Sequence, residues 1–479
     1  MDSTLLTQLI AIGFALLYVA AIFCAIEAIL QARTPQGAVA WTMSLITLPA
    51  VSVPLYLVFG RSRFDGYQDK REEVELESRN LLQRVSGSVS DHLVPPGDAP
   101  PLFASLANLA RMPATTGNAV ELLVDGQRTF DSILAGLAQA RKYILFQFYI
   151  IRDDGLGRDL GRILADKARE GLKVYLLYDE IGSRAFSKSR LLRQLQMSGV
   201  HVAPFNTTQG HRNRFQLNFR NHRKVVVVDG QTAWVGGHNV GDEYLGKDPR
   251  IGHWRDTHLK LSGPGVLGTE LAFATDWLWA TRNHLEIDWD FNVQAQGNCE
   301  VLVFPSDPAS EYEEAALMFL QILVAAKRRI WITTPYFVPD RGIVAALQLA
   351  ALNGVDVRVL LPDEPDGPIV GLANWSFTRE LLPAGVKIYR YRGGFLHQKV
   401  VLMDDQLAAV GTANFDNRSF RLNFEITLLV HDKHLVGEVE EMLEADFKHA
   451  REVGPADFSH RSIWFTLGMA AARLLAPVL

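Results

Sequence analysis

The chain has 479 residues, too long for one simple domain, and two or three domains are expected. A formal net charge of −5 and a pI of about 6.2 leave no global basic field for nucleic acid, so a nucleic-acid partner is not expected. Two cysteines, Cys24 and Cys299, make neither a disulfide framework nor a thiolate metal site.

Leu5 to Ile26 is uncharged and mostly apolar, long enough to span a bilayer. Ala38 to Phe59 is a second uncharged run, which Pro49 and Pro54 should kink. The two predict an N-terminal transmembrane helical hairpin over 1–60. No basic residue precedes the first run, the turn holds Arg33, and Arg61, Arg63, Lys70 and Arg71 follow the second. That excess makes the last side cytoplasmic, and with it the rest of the chain. The stretch 61–115 reads as a polar helix rich in Glu72, Glu73, Glu75 and Glu77, then a linker marked by Pro95, Pro96, Gly97, Pro100 and Pro101.

From Val120 strands and helices alternate. Strands are predicted at 120–124, 143–151, 173–178 and 200–205, with helices at 130–140, 157–170 and 191–197. A second run has strands at 301–304, 330–334, 357–361 and 386–391, with helices at 311–326, 342–352 and about 378–382. Gly171-Leu172-Lys173-Val174 matches Gly354-Val355-Asp356-Val357, and Gly199-Val200-His201-Val202 matches Gly385-Val386-Lys387-Ile388. The runs are therefore an internal repeat, assigned to 116–290 and 291–453. A polar break at Gly454 and Pro455 precedes an apolar tail too short to span. Over 454–479 it reads as an interfacial helix, or as one docking on the globular part.

Each repeat carries the same signature. In the first, His222-Arg223-Lys224 precedes four valines, Asp229 and then Gly236-Gly237-His238-Asn239; in the second, His397-Gln398-Lys399 precedes Val400 to Met403, Asp404 and Gly411-Thr412-Ala413-Asn414. His397 follows His222, and Asn414 follows Asn239, by the same 175 positions (397 − 222, 414 − 239). One His-x-Lys-x4-Asp would arise by chance on the order of a few per cent of the time in a chain of this length; two at equal spacing argue for duplication. Strand alternation puts His and Lys on one face. An imidazole, an ammonium and an amide on one surface suit a phosphate. A local basic stretch, Arg212, Arg214 and Arg220 with Arg223, abuts the first signature and suits attraction of anionic headgroups.

The duplicated pattern resembles the phospholipase D superfamily, and the surrounding text resembles its bacterial cardiolipin synthase branch. The stretches that carry this are Asn239-Val240-Gly241-Asp242-Glu243-Tyr244, Trp254-Arg255-Asp256-Thr257-His258, Thr334-Pro335-Tyr336-Phe337-Val338-Pro339, and Asn417-Arg418-Ser419-Phe420 with Asn423-Phe424-Glu425. Gly237 and Thr412 stand where that family usually has Ser, so position 237 lacks a side-chain hydrogen bond. The resemblance implies an α/β fold: two phospholipase D-like α/β/α sandwich halves packed face to face behind the membrane hairpin, with both His-Lys pairs in one cleft. It implies reversible transfer of a phosphatidyl group from one phosphatidylglycerol to another through a phosphohistidine, giving cardiolipin and glycerol. A phospholipase-type hydrolase, or synthesis with phosphatidylethanolamine as co-substrate, is the alternative. His222 would be the nucleophile and His397 the acid and base. Lys224, Lys399, Asn239 and Asn414 would hold the phosphoryl oxygens. Asp229 and Asp404 complete the catalytic motif, though their turn positions suggest support of the lysines or backbone. Aligning the halves offers Asp256 and Glu425 as partners that orient the imidazoles. No cofactor or metal is expected, and the bacterial inner membrane is the expected location.

Overall fold

The structure is a computed structural model that describes residues 3–32, 34–60, 81–95, 101–205, 218–291, 293–459 and 461–479. The basic residues flanking the membrane runs, the glutamate-rich stretch, most of the Pro-rich linker, and Arg212 and Arg214 lie outside the described residues. The chain divides into two compact units, one built on the N-terminal helices and one on the remainder.

In the first unit a helix spans Ser3–Gln31. Of it, Thr4–Gln31 is long and apolar enough to cross a membrane; 28 residues reach about 42 Å. Ala21, Cys24, Ala25 and Ala28 recur at helical spacing and are buried against Leu45, Val53 and Tyr56. Small residues on this stripe let the helices approach closely. Leu5, Leu9, Phe14, Leu16 and Phe23 stay exposed around the remaining surface, as a lipid-facing perimeter requires. The second apolar run differs from the expected single kinked span. It forms a helix Pro35–Thr47, stops at Leu48, restarts as Pro49–Leu55 and ends in a π turn Tyr56–Gly60. Proline at the first position suits a helix start, and inside a helix it removes a donor. Ser52 Oγ donates to the Ser44 carbonyl at 2.9 Å across the break, so the backbone keeps its partners.

In the second unit the repeat is written in the sheet. From one edge its strands run Ala450–Glu452, Lys387–Tyr391, Asp356–Pro362, Arg329–Thr333, Val400–Met403, Leu407–Gly411, Asn423–His431 and Cys299–Ser306. They continue through Thr115–Val124, Thr257–Ser262, Thr232–Gly236, Val225–Val228, Tyr143–Phe148, Lys173–Asp179 and His201–Phe205. Apart from the extra edge strand Ala450–Glu452, the second list is the first in reverse. The halves join where Thr115 pairs with Val301 and Asn118 with Cys299, antiparallel. Thr232–Gly236 and Thr257–Ser262 also come up against Leu407–Gly411 and Asn423–His431 of the other half.

The four valines form a wholly buried strand: Tyr143–Phe148 and Thr232–Gly236 hydrogen-bond to its edges, and the helices Asp125–Gln139 and Val266–Thr281 pack against it. Helix Pro101–Ala110 lies where a linker was expected, and it buries Phe103 and Leu106 in the core of the second half. The C-terminal tail forms the helix Ile463–Leu474, which packs against Pro368–Leu381. It turns Met469 and Ala472 inward and leaves Ile463, Trp464, Leu467 and Leu474 outward.

Candidate active site

Each histidine sits just past a two-residue strand that pairs with the other half. Arg220–Asn221 runs parallel to Asn423 and Phe424, and His222 N donates to Phe424 O at 2.9 Å. Phe395–Leu396 runs parallel to Trp254–Arg255, and His397 N donates to Arg255 O at 2.8 Å. The side chains cross in the same way. His222 Nδ1 lies 2.9 Å from Glu425 Oε2, and His397 Nδ1 lies 2.7 Å from Asp256 Oδ2. The two carboxylates read from the aligned halves are thus the imidazole partners, each serving the opposite repeat. An Nδ1–H held by a carboxylate leaves Nε2 unprotonated, and that of His397 lies 3.1 Å from Lys399 Nζ.

Glu425 is fully engaged. Thr412 Oγ1 donates to it at 2.6 Å, Ser419 Oγ at 2.8 Å and Asn423 Nδ2 at 3.1 Å. Burial pushes its pKa up, but His222, Lys224 and Thr412 outweigh this and hold it below the usual carboxylate value. Asp256 is built differently. Thr257 N donates to Oδ1 at 2.8 Å and Trp254 Nε1 to Oδ2 at 3.4 Å. Burial keeps its pKa raised against the opposing pull of Lys399 and His238.

This difference explains Gly237. A Cβ there would stand 2.0 Å from Asp256 Oδ1. The shorter aspartate carboxylate occupies the space that Thr412 fills in the other half, and the Trp254 indole and Thr257 amide act as its donors. We expect Gly237→Ser to push Asp256 off His397 and to slow turnover at least tenfold, with thermal unfolding measured alongside to separate this from loss of fold. A serine variant with native turnover would refute the steric account.

The lysines lie beside the rings. Lys224 Nζ donates to His222 O at 2.6 Å. Lys399 Nζ donates to His397 O and stands 2.9 Å from His397 Nδ1. Burial lowers Lys224 to about 7 and Lys399 to about 8. It also takes His222 down to about 4 and His397 well below its usual value. The charge of His222 bears on His397, so both imidazoles and both ammonium groups share one buried cluster. Two neutral rings suit a nucleophile at neutral pH. An entering phosphodiester anion raises the pKa values of both rings and lets one carry a proton.

The remaining candidates separate by what they touch. Asp229 and Asp404 sit at the far end of the valine-type strands, at φ 55 and 51. Asp229 accepts from the amides of Arg141, Lys142 and Tyr143 at 2.8, 2.7 and 2.9 Å. Asp404 accepts from Lys327, Arg328 and Arg329. They clamp the backbone rather than the lysines. Asn239 Oδ1 accepts from Ile150 N at 3.1 Å and its Nδ2 reaches the Tyr244 hydroxyl at 3.3 Å. Asn414 has its backbone N–H on Ser419 Oγ, and its Oδ1 is buried without a partner among the described residues. Arg223 does not belong to a surface patch: it is buried, bonding Asp276, Glu425 O and Ser306 O. Arg220 is half-buried beside Tyr149 and Asp179.

Sequence reasoning missed the aromatic walls. Tyr149 meets His222 edge-on at 5.1 Å, and Tyr336 meets His397 edge-on at 6.3 Å. Trp254 and Phe395 flank His397 at 5.0 and 6.1 Å. Tyr336 and Trp254 lie inside the stretches that carried the resemblance, which was their only signal. Tyr149 had none.

The chain matches the family model described as cardiolipin synthase, PLD-like domain, over residues 133–248 and 319–447. Residues 19–61 match the model described as phospholipase D-nuclease N-terminal. A cardiolipin synthase A of Pseudomonas fluorescens is 46% identical over 469 residues, 97% of each chain. One of Pseudomonas putida is 45% identical over 468 residues, again 97% of each. Among solved structures, the phosphatidylserine synthase of Haemophilus influenzae superposes with a TM-score of 0.61 at 18% identity. That match covers 79% of this chain and all of the other, and is a likeness of fold.

Proposed function

The chain belongs to the cardiolipin synthase family of phospholipase D-like enzymes, and from that premise we propose that it moves a phosphatidyl group between two phosphatidylglycerols in a membrane. In the first step Nε2 of His222 attacks phosphorus and a phosphorus–oxygen bond breaks. The departing glycerol oxygen takes a proton from Nε2 of His397. In the second step His397 takes the proton of the incoming glycerol hydroxyl, its oxygen attacks the phosphatidyl-histidine, and the phosphorus–nitrogen bond breaks. The products are cardiolipin and glycerol. Lys224 and Lys399, both buried, supply positive charge to the phosphoryl oxygens. Asn414 and Asn239 offer the N–H groups of their carboxamides to the phosphoryl oxygens.

The crossed dyads carry this reading: two imidazoles, each fixed at Nδ1 by a carboxylate of the other half, with a lysine beside each. A membrane location fits substrates that live in the bilayer, and the apolar perimeter of Thr4–Gln31 supports it. The short helices Pro35–Thr47 and Pro49–Leu55 return the chain to the cytoplasmic side of a bacterial inner membrane. The outward Ile463, Trp464 and Leu467 rest the C-terminal helix in the interface.

The test is product analysis with full-length protein in phosphatidylglycerol vesicles. Cardiolipin and glycerol should appear in equal amounts. Phosphatidate as the main product would make the enzyme a hydrolase. Ethanolamine release from mixed vesicles would assign phosphatidylethanolamine as a substrate.

A further inference from the structure

In-line exchange at phosphorus puts the leaving alcohol opposite the attacking Nε2 of His222, on the side of His397. The acceptor alcohol enters by the same route, because the second step is the first run backwards with a different alcohol. A cavity of about 420 Å³ lies beside His397, its lining including Trp254, Phe395, Asp363, Glu364, Asp366 and Arg392. Two of its walls touch His397. Trp254 and Phe395 flank the ring directly. Asp366 accepts the hydroxyl of Tyr336 at 2.8 Å, and Tyr336 stands edge-on to the same ring.

The lining selects by chemistry. Asp363 is neutralised by Arg392 at 3.1 Å and Arg451 at 3.7 Å. Asp366 holds Tyr336. Glu364 is exposed and makes no hydrogen bond or ion pair among the described residues. A free carboxylate accepts from hydroxyl groups and offers nothing to an acyl chain. The volume suits a small headgroup.

We propose that this cavity is the alcohol subsite, holding a glycerol headgroup by its hydroxyls, with Glu364 as the recognising carboxylate and Trp254 and Tyr336 fixing His397 above it. The proposal rests on the phosphatidyl-transfer reading. The glycerol has two sources, free glycerol and the terminal glycerol of phosphatidylglycerol, and both belong in the same place.

The experiment runs the reaction in reverse with the full-length protein in detergent micelles. Cardiolipin and free glycerol are supplied, and phosphatidylglycerol and phosphatidate are measured. Glu364→Ala should raise KM for glycerol about tenfold or more, change kcat far less, and divert product toward phosphatidate. Glu364→Asp should restore part of the affinity. In phosphatidylglycerol vesicles the cardiolipin yield should fall in parallel. The side chain is exposed, so unfolding temperatures should match the wild type, and Glu364→Lys provides a second variant. An unchanged KM for glycerol in both Glu364→Ala and Glu364→Lys overturns the subsite. A wild-type preference for ethanolamine over glycerol that disappears in Glu364→Ala overturns the polyol assignment. A wild type that makes no phosphatidylglycerol from cardiolipin overturns the transfer reading itself, an outcome no variant comparison imitates.

Discussion

Alanine at His222 should reduce phosphatidyl transfer by on the order of 10⁴-fold or more and leave no covalent phosphatidyl-enzyme to trap. The fold should survive, because Glu425 keeps Thr412, Ser419 and Asn423 as donors when the ring is gone. His397→Ala should fail differently. Its loss removes the proton for the departing alkoxide, a demand that disappears when the leaving group is acidic. A phosphatidyl ester of p-nitrophenol should therefore restore enzyme labelling in His397→Ala and not in His222→Ala. Acid-quenched labelling with radioactive lipid reads both. Label retained by His222→Ala and absent from His397→Ala would exchange the two roles.

The second large effect is expected at Glu425→Gln. The amide is close in size to the carboxylate and, with its oxygen in the place of Oε1, keeps Ser419 and Asn423 as donors, while its NH2 takes the place of Oε2, the atom that Thr412 and His222 share. It can also turn an N–H toward His222 Nδ1. The ring would then hold its proton on Nε2, the atom that must attack. Selecting the wrong tautomer should cost on the order of 10³- to 10⁴-fold in kcat. Asp256→Asn should do the same to the acid and base step, with the p-nitrophenyl ester again separating the halves. Turnover of Glu425→Gln within tenfold of the wild type would show that Nδ1 needs no charged acceptor.

The residues of the candidate site were legible in the sequence because duplication wrote them twice at one spacing. Runs such as Val225–Val228 and Val400–Met403 were legible because a strand buried on both faces is apolar throughout. Asp256 and Glu425 came from aligning the halves. Which histidine each would serve did not, because the answer lies in two-residue strands pairing across about 200 positions of chain, as at Asn221 and Phe424. Helix Val266–Thr281 gave no signal for a related reason. It buries Thr269, Glu270 and Asp276 along with its apolar residues, so no polar face marks it. Proline density hid the helix at 101–110, and the break at Leu48 divided what composition alone presents as one long run. The glycine at 237 looked like a lost hydroxyl until the position of Asp256 gave it a steric reason.

The exchange of carboxylates between repeats has a consequence for ancestry. In each repeat the imidazole is bonded to the other repeat's acid and not to its own. Before the gene was doubled, such a unit could have worked only as a symmetric pair of copies, each lending its acid to its neighbour. Fusion made that loan permanent. It also released the two acids to diverge, one into a glutamate beside threonine and the other into an aspartate beside glycine, while neither repeat gained the means to act alone.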